Sequence, residues 1–251
     1  MKRVFLLGLL LMGCDSGRYH GRTLDSWAFD LDSTVAHERA NALKALGAAA
    51  HGVSTVPVTV SRALPKMAKL LGDADPSVQE QARYSLMAVG APARDVLEEA
   101  LRQPQPTVRT QAAAALVNLE LTHDVAARVL VEMLLNRAYP ELAALAEEEL
   151  VALGPFAAIP LAERLPERKV IQTLGALEEA GRDYAPALLR IAREDTDLTT
   201  RLAAMKAYAR VVDVSQANRT LDVLRQDGNI RFARSAGALM RRYPAPETTV
   251  D

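Results

Sequence analysis

Apolar residues recur along this chain in one fixed pattern. From Val78, the next marked positions lie 8, 11 and 12 residues on, at Leu86, Val89 and Gly90. The same spacing runs through Val108, Leu116, Leu119 and Glu120, through Leu142, Leu150, Leu153 and Gly154, and through Val35, Leu43, Leu46 and Gly47. A weaker copy ends at Leu177 and Gly181. Steps of 8 and 11 return to one face of a 3.6-residue helix, so each copy predicts an amphipathic helix. The closing glycine predicts a left-handed C-terminal cap. Pro76, Pro106 and Pro140 each stand two residues before the first apolar position. Proline fits the first helical turn, where its missing N–H has no partner to lose, so these prolines mark helix starts.

A second amphipathic segment follows each of these helices: 63–71, 93–103, 125–135, 158–165 and 185–194. The predicted unit is helix, tight turn, helix. Pro76 and Pro106 are 30 residues apart, and Pro106 and Pro140 are 34 apart. Periods of that order predict a solenoid, with each pair burying its apolar face on the next. Composition agrees: only 4% of residues are aromatic, which suits helices packed through small side chains, and no alternating apolar–polar run calls for a sheet. The β-rich stretch VSTVPVTVS at 53–61 carries Pro57 in its middle and is expected to be irregular. Ala82, Ala112 and Ala146 share one position on the first helices and predict close helix–helix approach.

These paired helices resemble HEAT repeats, specifically the short bacterial HEAT-like type also found in phycobilisome lyase subunits. The resemblance covers roughly residues 24–243 and implies an all-α fold, an α-solenoid of antiparallel helix pairs with about six to seven repeats. HEAT helices often carry an arginine just after the first apolar anchor. Arg109 and Arg231 match that habit, whereas Gln79, Ala36 and Ala143 depart from it. Segments 195–213 and 228–243 read as degenerate copies, as end repeats usually are. At the other end, Thr23 is placed to cap a short helix carrying Leu24, Trp27 and Leu31 on one face, which would cover the first repeat.

The first fourteen residues form a separate object. Lys2 and Arg3 precede an apolar run, Val4–Met12, too short to span a bilayer. Leu11-Met12-Gly13-Cys14 resembles the lipobox of bacterial lipoproteins, although Met12 is bulkier than the usual residue there. The resemblance implies cleavage after Gly13 and acylation of Cys14, the only cysteine in the chain. Asp15 resembles the inner-membrane retention signal of enteric bacteria. The expected organisation is a signal peptide over 1–13, a tether over 14–22, a solenoid over 23–243 and a tail over 244–251. The eight residues Asp15–Arg22 would reach at most about 30 Å. The chain would then face outward from a bacterial membrane on a lipid anchor.

Candidate chemistry is sparse. His20, His37, His51 and His123 have no second histidine or cysteine at metal-ligand spacing. The chain has no G-x-S-x-G, no glycine-rich phosphate loop and no H-E-x-x-H. Glu147, Glu148 and Glu149 point about 100° apart on a helix and read as a solvated face. No catalytic residue, cofactor or metal site is expected. Charge is uneven: residues 74–181 hold 9 basic and 16 acidic side chains, and residues 182–251 hold 12 and 9. A nucleic-acid binder would carry a stronger basic stripe. The second helices of HEAT-type arrays line the concave face, so by resemblance Glu99, Arg102, Glu163, Arg190 and Arg193 are the candidate partner surface. The expected role is a non-enzymatic, protein-binding scaffold or assembly factor in the bacterial envelope, for partners within that envelope. Two other readings stay open: a lipoprotein that self-associates through its ends, and a bilin-lyase-like or small-ligand-handling HEAT protein.

Overall fold

A computed structural model describes residues 18–119 and 123–242. The signal peptide, Cys14, Glu120 and the tail lie outside these residues. The described chain is all-α, of the α-solenoid class, and divides into two compact units between Val96 and Leu97.

The first unit opens with a two-strand antiparallel hairpin, β1 (Arg18–Tyr19) and β2 (Arg22–Thr23), followed by helices α1 (Leu24–Asp30), α2 (Ala36–Ala50), α3 (Val58–Lys69) and α4 (Pro76–Val89). The division falls within α5 (Arg94–Ala100). The second unit continues through α6 (Pro106–Asn118), α7 (His123–Leu134), α8 (Pro140–Leu153), α9 (Pro155–Ala162) and α10 (Arg168–Ala176). It ends with α11 (Ala185–Glu194), α12 (Leu198–Val211), α13 (Val214–Leu224) and α14 (Ile230–Arg242). Within each unit the even-numbered helices pack on one another in order. Thus α2 meets α4, α6 meets α8, α10 meets α12 and α12 meets α14, with the odd-numbered helices alongside.

Counting from each N-cap explains why these helices stack. The seventh residue in is Ala42, Ala82, Ala112, Ala146 or Ala204, and all five are fully buried. The eleventh is Leu46, Leu86, Leu116, Leu150 or Tyr208, all buried too. A methyl at the closest approach and a large apolar side chain one turn later let neighbouring helices of one unit pack closely. This corrects the expected register of the first copy by three residues. Val35 is not an inward anchor but the half-exposed N-cap of α2, so Leu46 and not Leu43 stands in line with Leu86. It also corrects the view of 195–213 as degenerate, because Ala204 and Tyr208 hold the register. The irregular copy is α10, which stops early and passes into a 3-10 segment, Glu178–Tyr184.

Pro76, Pro106 and Pro140 are each the first residue of their helix, as expected. Gly90 (φ 78°, ψ −144°) and Gly154 (φ 56°, ψ −122°) end α4 and α8. Their ψ values put them in the mirror-extended region, not the left-handed helical cap, and side chains with a Cβ avoid it. Gly47 and Gly181 cap nothing. Gly47 lies inside α2, where a Cβ would stand 2.9 Å from Ser85 Cα on α4. Gly181 lies within 2.7 Å of the Leu174 carbonyl by the same measure. Both serve close approach.

Residues 58–61, expected to be irregular, begin helix α3. Pro57 is its N-cap, and Val60, Ala63, Leu64 and Met67 are its buried face. A proline at a helix start costs no backbone hydrogen bond, so the β-rich composition yields to helical periodicity. The described part of the expected tether, residues 18–22, folds back as the hairpin. His20 (φ 50°) and Gly21 (φ 76°) turn the hairpin, and Trp27 Nε1 donates to the Tyr19 carbonyl at 3.0 Å. Thr23 caps α1 as expected, accepting from the Ser26 N–H at 3.2 Å, and Leu24 and Leu31 are buried under it.

Candidate partner surface

The five sequence-predicted surface residues all lie in the second unit, on or just after odd-numbered helices, and all are exposed. Glu99, on α5, accepts from Arg102 in the following turn at 3.1 Å. Glu163 ends α9 and receives a two-pronged ion pair from Arg128 of α7. Arg190 and Arg193 stand three apart on α11 and make no ion pair among the described residues. Arg190 also lines a groove of about 250 Å³ with Leu165, Pro166 and Ile191 on its apolar side and Glu194 and Asp195 on its acidic side.

The structure therefore does not gather the five into one cluster. It makes a local pair at Glu99–Arg102, an inter-helix pair at Glu163 and two open cations on α11. Arg128, which the sequence did not single out, connects α7 to α9 and also meets Asp124 at 3.3 Å. Hydrogen bonds to Glu163 and Asp124 hold its guanidinium above the ordinary arginine value. A second groove, about 190 Å³ and mostly apolar, lies between the end of α5 and α7, lined by Glu98, Leu101, Arg102, Val125 and Val129.

Two further residues complete the α9 face. Phe156 is 59% exposed and Ile159 is 58% exposed, three residues apart, with Glu163 a turn farther on. The inward face of α9 is filled by Ala157, Ala158, Pro160 and Leu161. The His123 ring lies 4.4 Å from the Phe156 ring, so a ring contact joins α7 to the exposed face of α9. The run PFAAIPLA is apolar on all sides, so periodicity alone could not say which side faces water. Large apolar groups left on one exposed strip are the feature by which a docking surface differs from a solvated face.

Glu149 corrects the expected solvated acidic face. It stands one residue before the inward Leu150, is 7% exposed, and accepts from Asn118 Nδ2 at 2.8 Å. Glu147 turns outward and pairs with Lys169 of α10. Among the described residues, no group of three His, Cys, Asp or Glu side chains is placed to hold a metal ion. No described helix is long and apolar enough to cross a membrane.

A family model described as HEAT repeats matches residues 31–117 and again 64–151. Residues 31–151 of the chain carry HEAT repeats. No curated protein matches the sequence. Among solved structures, the chain is similar to human deoxyhypusine hydroxylase in complex with glycerol, at 20% identity over 88% of this chain and 84% of that one, with a TM-score of 0.38. It is also similar to an engineered protein at 17% identity, over 88% of this chain and 58% of that one, with a TM-score of 0.34. At these scores neither likeness bears on function.

Proposed function

We propose that this helical-repeat protein is a membrane-anchored, non-enzymatic scaffold of the bacterial envelope that binds another protein through the α7–α9 face of its second unit. The observation that supports this reading most is the strip of His123, Phe156 and Ile159, bordered by the Arg128–Glu163 pair. Exposed aromatic and aliphatic groups supply contact area, and a charged border supplies register and discrimination. The flanking Glu99, Arg102, Arg190 and Arg193 extend the charged border along the odd-numbered helices. Function here is presentation: rigid helix pairs hold side chains in fixed relation, and no bond is made or broken.

The anchor is the acylated Cys14, supported by Leu11-Met12-Gly13-Cys14 at the end of the apolar leader. Cys14→Ala is expected to leave a soluble or uncleaved precursor, and normal membrane retention of that variant would contradict the anchor. The partner is tested by cross-linking the lipoprotein in its own membranes and identifying captured proteins by mass spectrometry. A stoichiometric envelope protein should be captured by the unaltered chain. It should be lost from Phe156→Asp and from charge reversal of Glu163, Arg190 and Arg193. Capture of this chain alone would exclude the binding role and leave self-association.

A further inference from the structure

We propose that the first unit lies directly on the membrane and docks there through the outer face of α1 and α3, with Phe29 seated in the lipid headgroup layer. The inference rests on the lipid-anchor reading above and extends it to a specific surface.

The first argument is the length of chain between anchor and fold. Cys14 and Arg18 are four residues apart, and four residues span at most about 14 Å even when fully extended. A headgroup layer is itself roughly 5–8 Å deep, from the difference between whole-bilayer and hydrocarbon thickness. The hairpin must therefore stand within about 10 Å of the bilayer surface. The hairpin in turn is fixed to α1. Trp27 Nε1 donates to the Tyr19 carbonyl, Arg22 stacks 3.9 Å above the Trp27 ring, and Arg22 bonds Ser26 at 2.7 Å and Asp30 at 2.8 Å. With so short a leash and so firm a joint, α1 is held at the lipid surface.

The second argument is what α1 presents there. Leu24 and Leu31 turn inward, and Phe29 turns out, 79% exposed, the most open large apolar side chain among the described residues. Val58, the first residue of α3, is 65% exposed. Asp25 accepts from Thr59 at 2.9 Å and Asp32 pairs with Lys66. Both links join residues 34 apart, so the two segments run parallel in matched register, and Phe29 comes level with Arg62 and Ala63. Ala63 is buried and Arg62 is exposed, with no ion-pair partner among the described residues. The carboxylates on this face are already engaged, Asp25 by Thr59, Asp32 by Lys66 and Asp30 by Arg22. What remains open is an aromatic and an aliphatic group beside Arg62 and Lys69. An apolar group that enters the headgroup layer, ringed by cations that stay at phosphate level, is the pattern by which a protein lies on an anionic lipid surface.

The test uses the full-length lipoprotein, purified in detergent from its own host and reconstituted into vesicles of phosphatidylcholine with a minor share of phosphatidylglycerol. Acylation blocks Cys14, the only native cysteine, so Phe29→Cys and, on α4 of the same unit, Tyr84→Cys each offer a single thiol for an environment-sensitive fluorophore. The label at 29 is expected to shift to the blue on reconstitution and to be quenched by nitroxide lipids labelled near the headgroup. The label at 84 should stay water-like. Hydrogen exchange of the unaltered lipoprotein, compared between detergent and vesicles, should slow at 24–31 and 58–62. Mass spectrometry of the same preparations reads the acyl group on Cys14. An acylated chain whose label at 29 stays water-like, or responds no more than the label at 84, overturns the docking surface and leaves the anchor standing. A chain with no acyl group on Cys14 overturns the anchor, and this surface falls with it.

Discussion

The Arg39 guanidinium grips Asp73 side-on, Nε donating to Oδ2 at 2.7 Å and Nη2 to Oδ1 at 2.6 Å. The pair joins the start of α2 to the residue two before the N-cap of α4, and Asp73 also accepts the Asp75 N–H at 2.9 Å. The same device returns in the second unit. There Arg201 at the start of α12 meets Asp227, which accepts the Asn229 N–H at 2.8 Å just before α14. Each pair fixes the entry of one stacking helix to the entry of the next. The Arg39 and Asp73 side chains are only 15% and 6% exposed, so stripping one leaves the other as an uncompensated buried charge. Arg39→Ala should cost about 3 kcal/mol. Arg39→Lys should recover only part, because an ammonium cannot take both oxygens in one plane. Trp27 is the only tryptophan and sits in the same unit, so its emission during denaturant unfolding follows this unit. An unchanged midpoint in Arg39→Ala would mean that the pair gives no net stabilisation.

Acid should act on the same links. Burial pushes the Asp73 carboxyl up, but the Arg39 hydrogen bond, the Asp75 N–H and the Arg39 charge outweigh it and hold the group below its ordinary value. The Asn229 N–H and then Arg201 do the same for Asp227, and Arg109 does so for Glu132. A carboxylate held below its unfolded value adds stability that is complete above that value and is lost as pH falls through the folded one. The melting temperature should therefore be level at neutral pH and fall progressively below about pH 4. In Asp73→Asn the Trp27-detected part of that fall should be shallower. A wild-type slope retained in the variant would assign the acid loss elsewhere.

Helix order, helix starts at proline and the inward alanines were legible in the sequence because 3.6-residue periodicity and proline geometry are local. The missed features depend on contacts between helices. Sequence places the repeat arginine just after the first apolar anchor, at Arg109 and Arg231. Counted from the N-caps, the shared position holds Arg39, Arg109 and Arg201, and Arg231 falls elsewhere on α14. The one-sided exposure of α9 could not be read from a run that is apolar all round. Glu149 was assigned to water because three adjacent glutamates suggest a solvated face, and only the packing of α6 on α8 brings Asn118 to it. Of the candidate surface, sequence supplied Glu163 but not Arg128, Phe156 or His123, which meet it or its neighbours only after folding.

Close packing makes its own prediction. A Cβ on Gly175 of α10 would stand 2.7 Å from both Cα and Cβ of Ala207 on α12. Alanine is the better helix former by about 1 kcal/mol, yet here backbone would have to move. Gly175→Ala should therefore destabilise by about 1–3 kcal/mol, as should Ala112→Leu at the fully buried seventh position of α6. Gly228→Ala is the control: nothing lies within 4 Å of its added methyl, and its effect should stay within about 0.5 kcal/mol. Thermal melting followed by far-ultraviolet circular dichroism reads all three. A stabilised Gly175→Ala would show that α10 and α12 stand farther apart than the structure has them.

The Arg128–Glu163 pair separates a binding face from a structural one. Its side chains are 49% and 47% exposed, so water screens it, and exposed pairs contribute about 0–1 kcal/mol. Glu163→Gln should leave the melting temperature almost unchanged. Phe156→Asp should too, because a ring already in water has little burial to lose. If α7 and α9 present a partner surface, these two variants should still lose the cross-linked partner, since an isolated Arg128 would meet the interface without its carboxylate and the apolar strip would be interrupted. The Gly175→Ala variant should behave in the opposite way, melting lower while keeping its partner at temperatures where it stays folded. Should Glu163→Gln and Phe156→Asp lower the melting temperature as much as Gly175→Ala does, the strip would be part of the fold's own packing and the partner surface would have to be sought elsewhere.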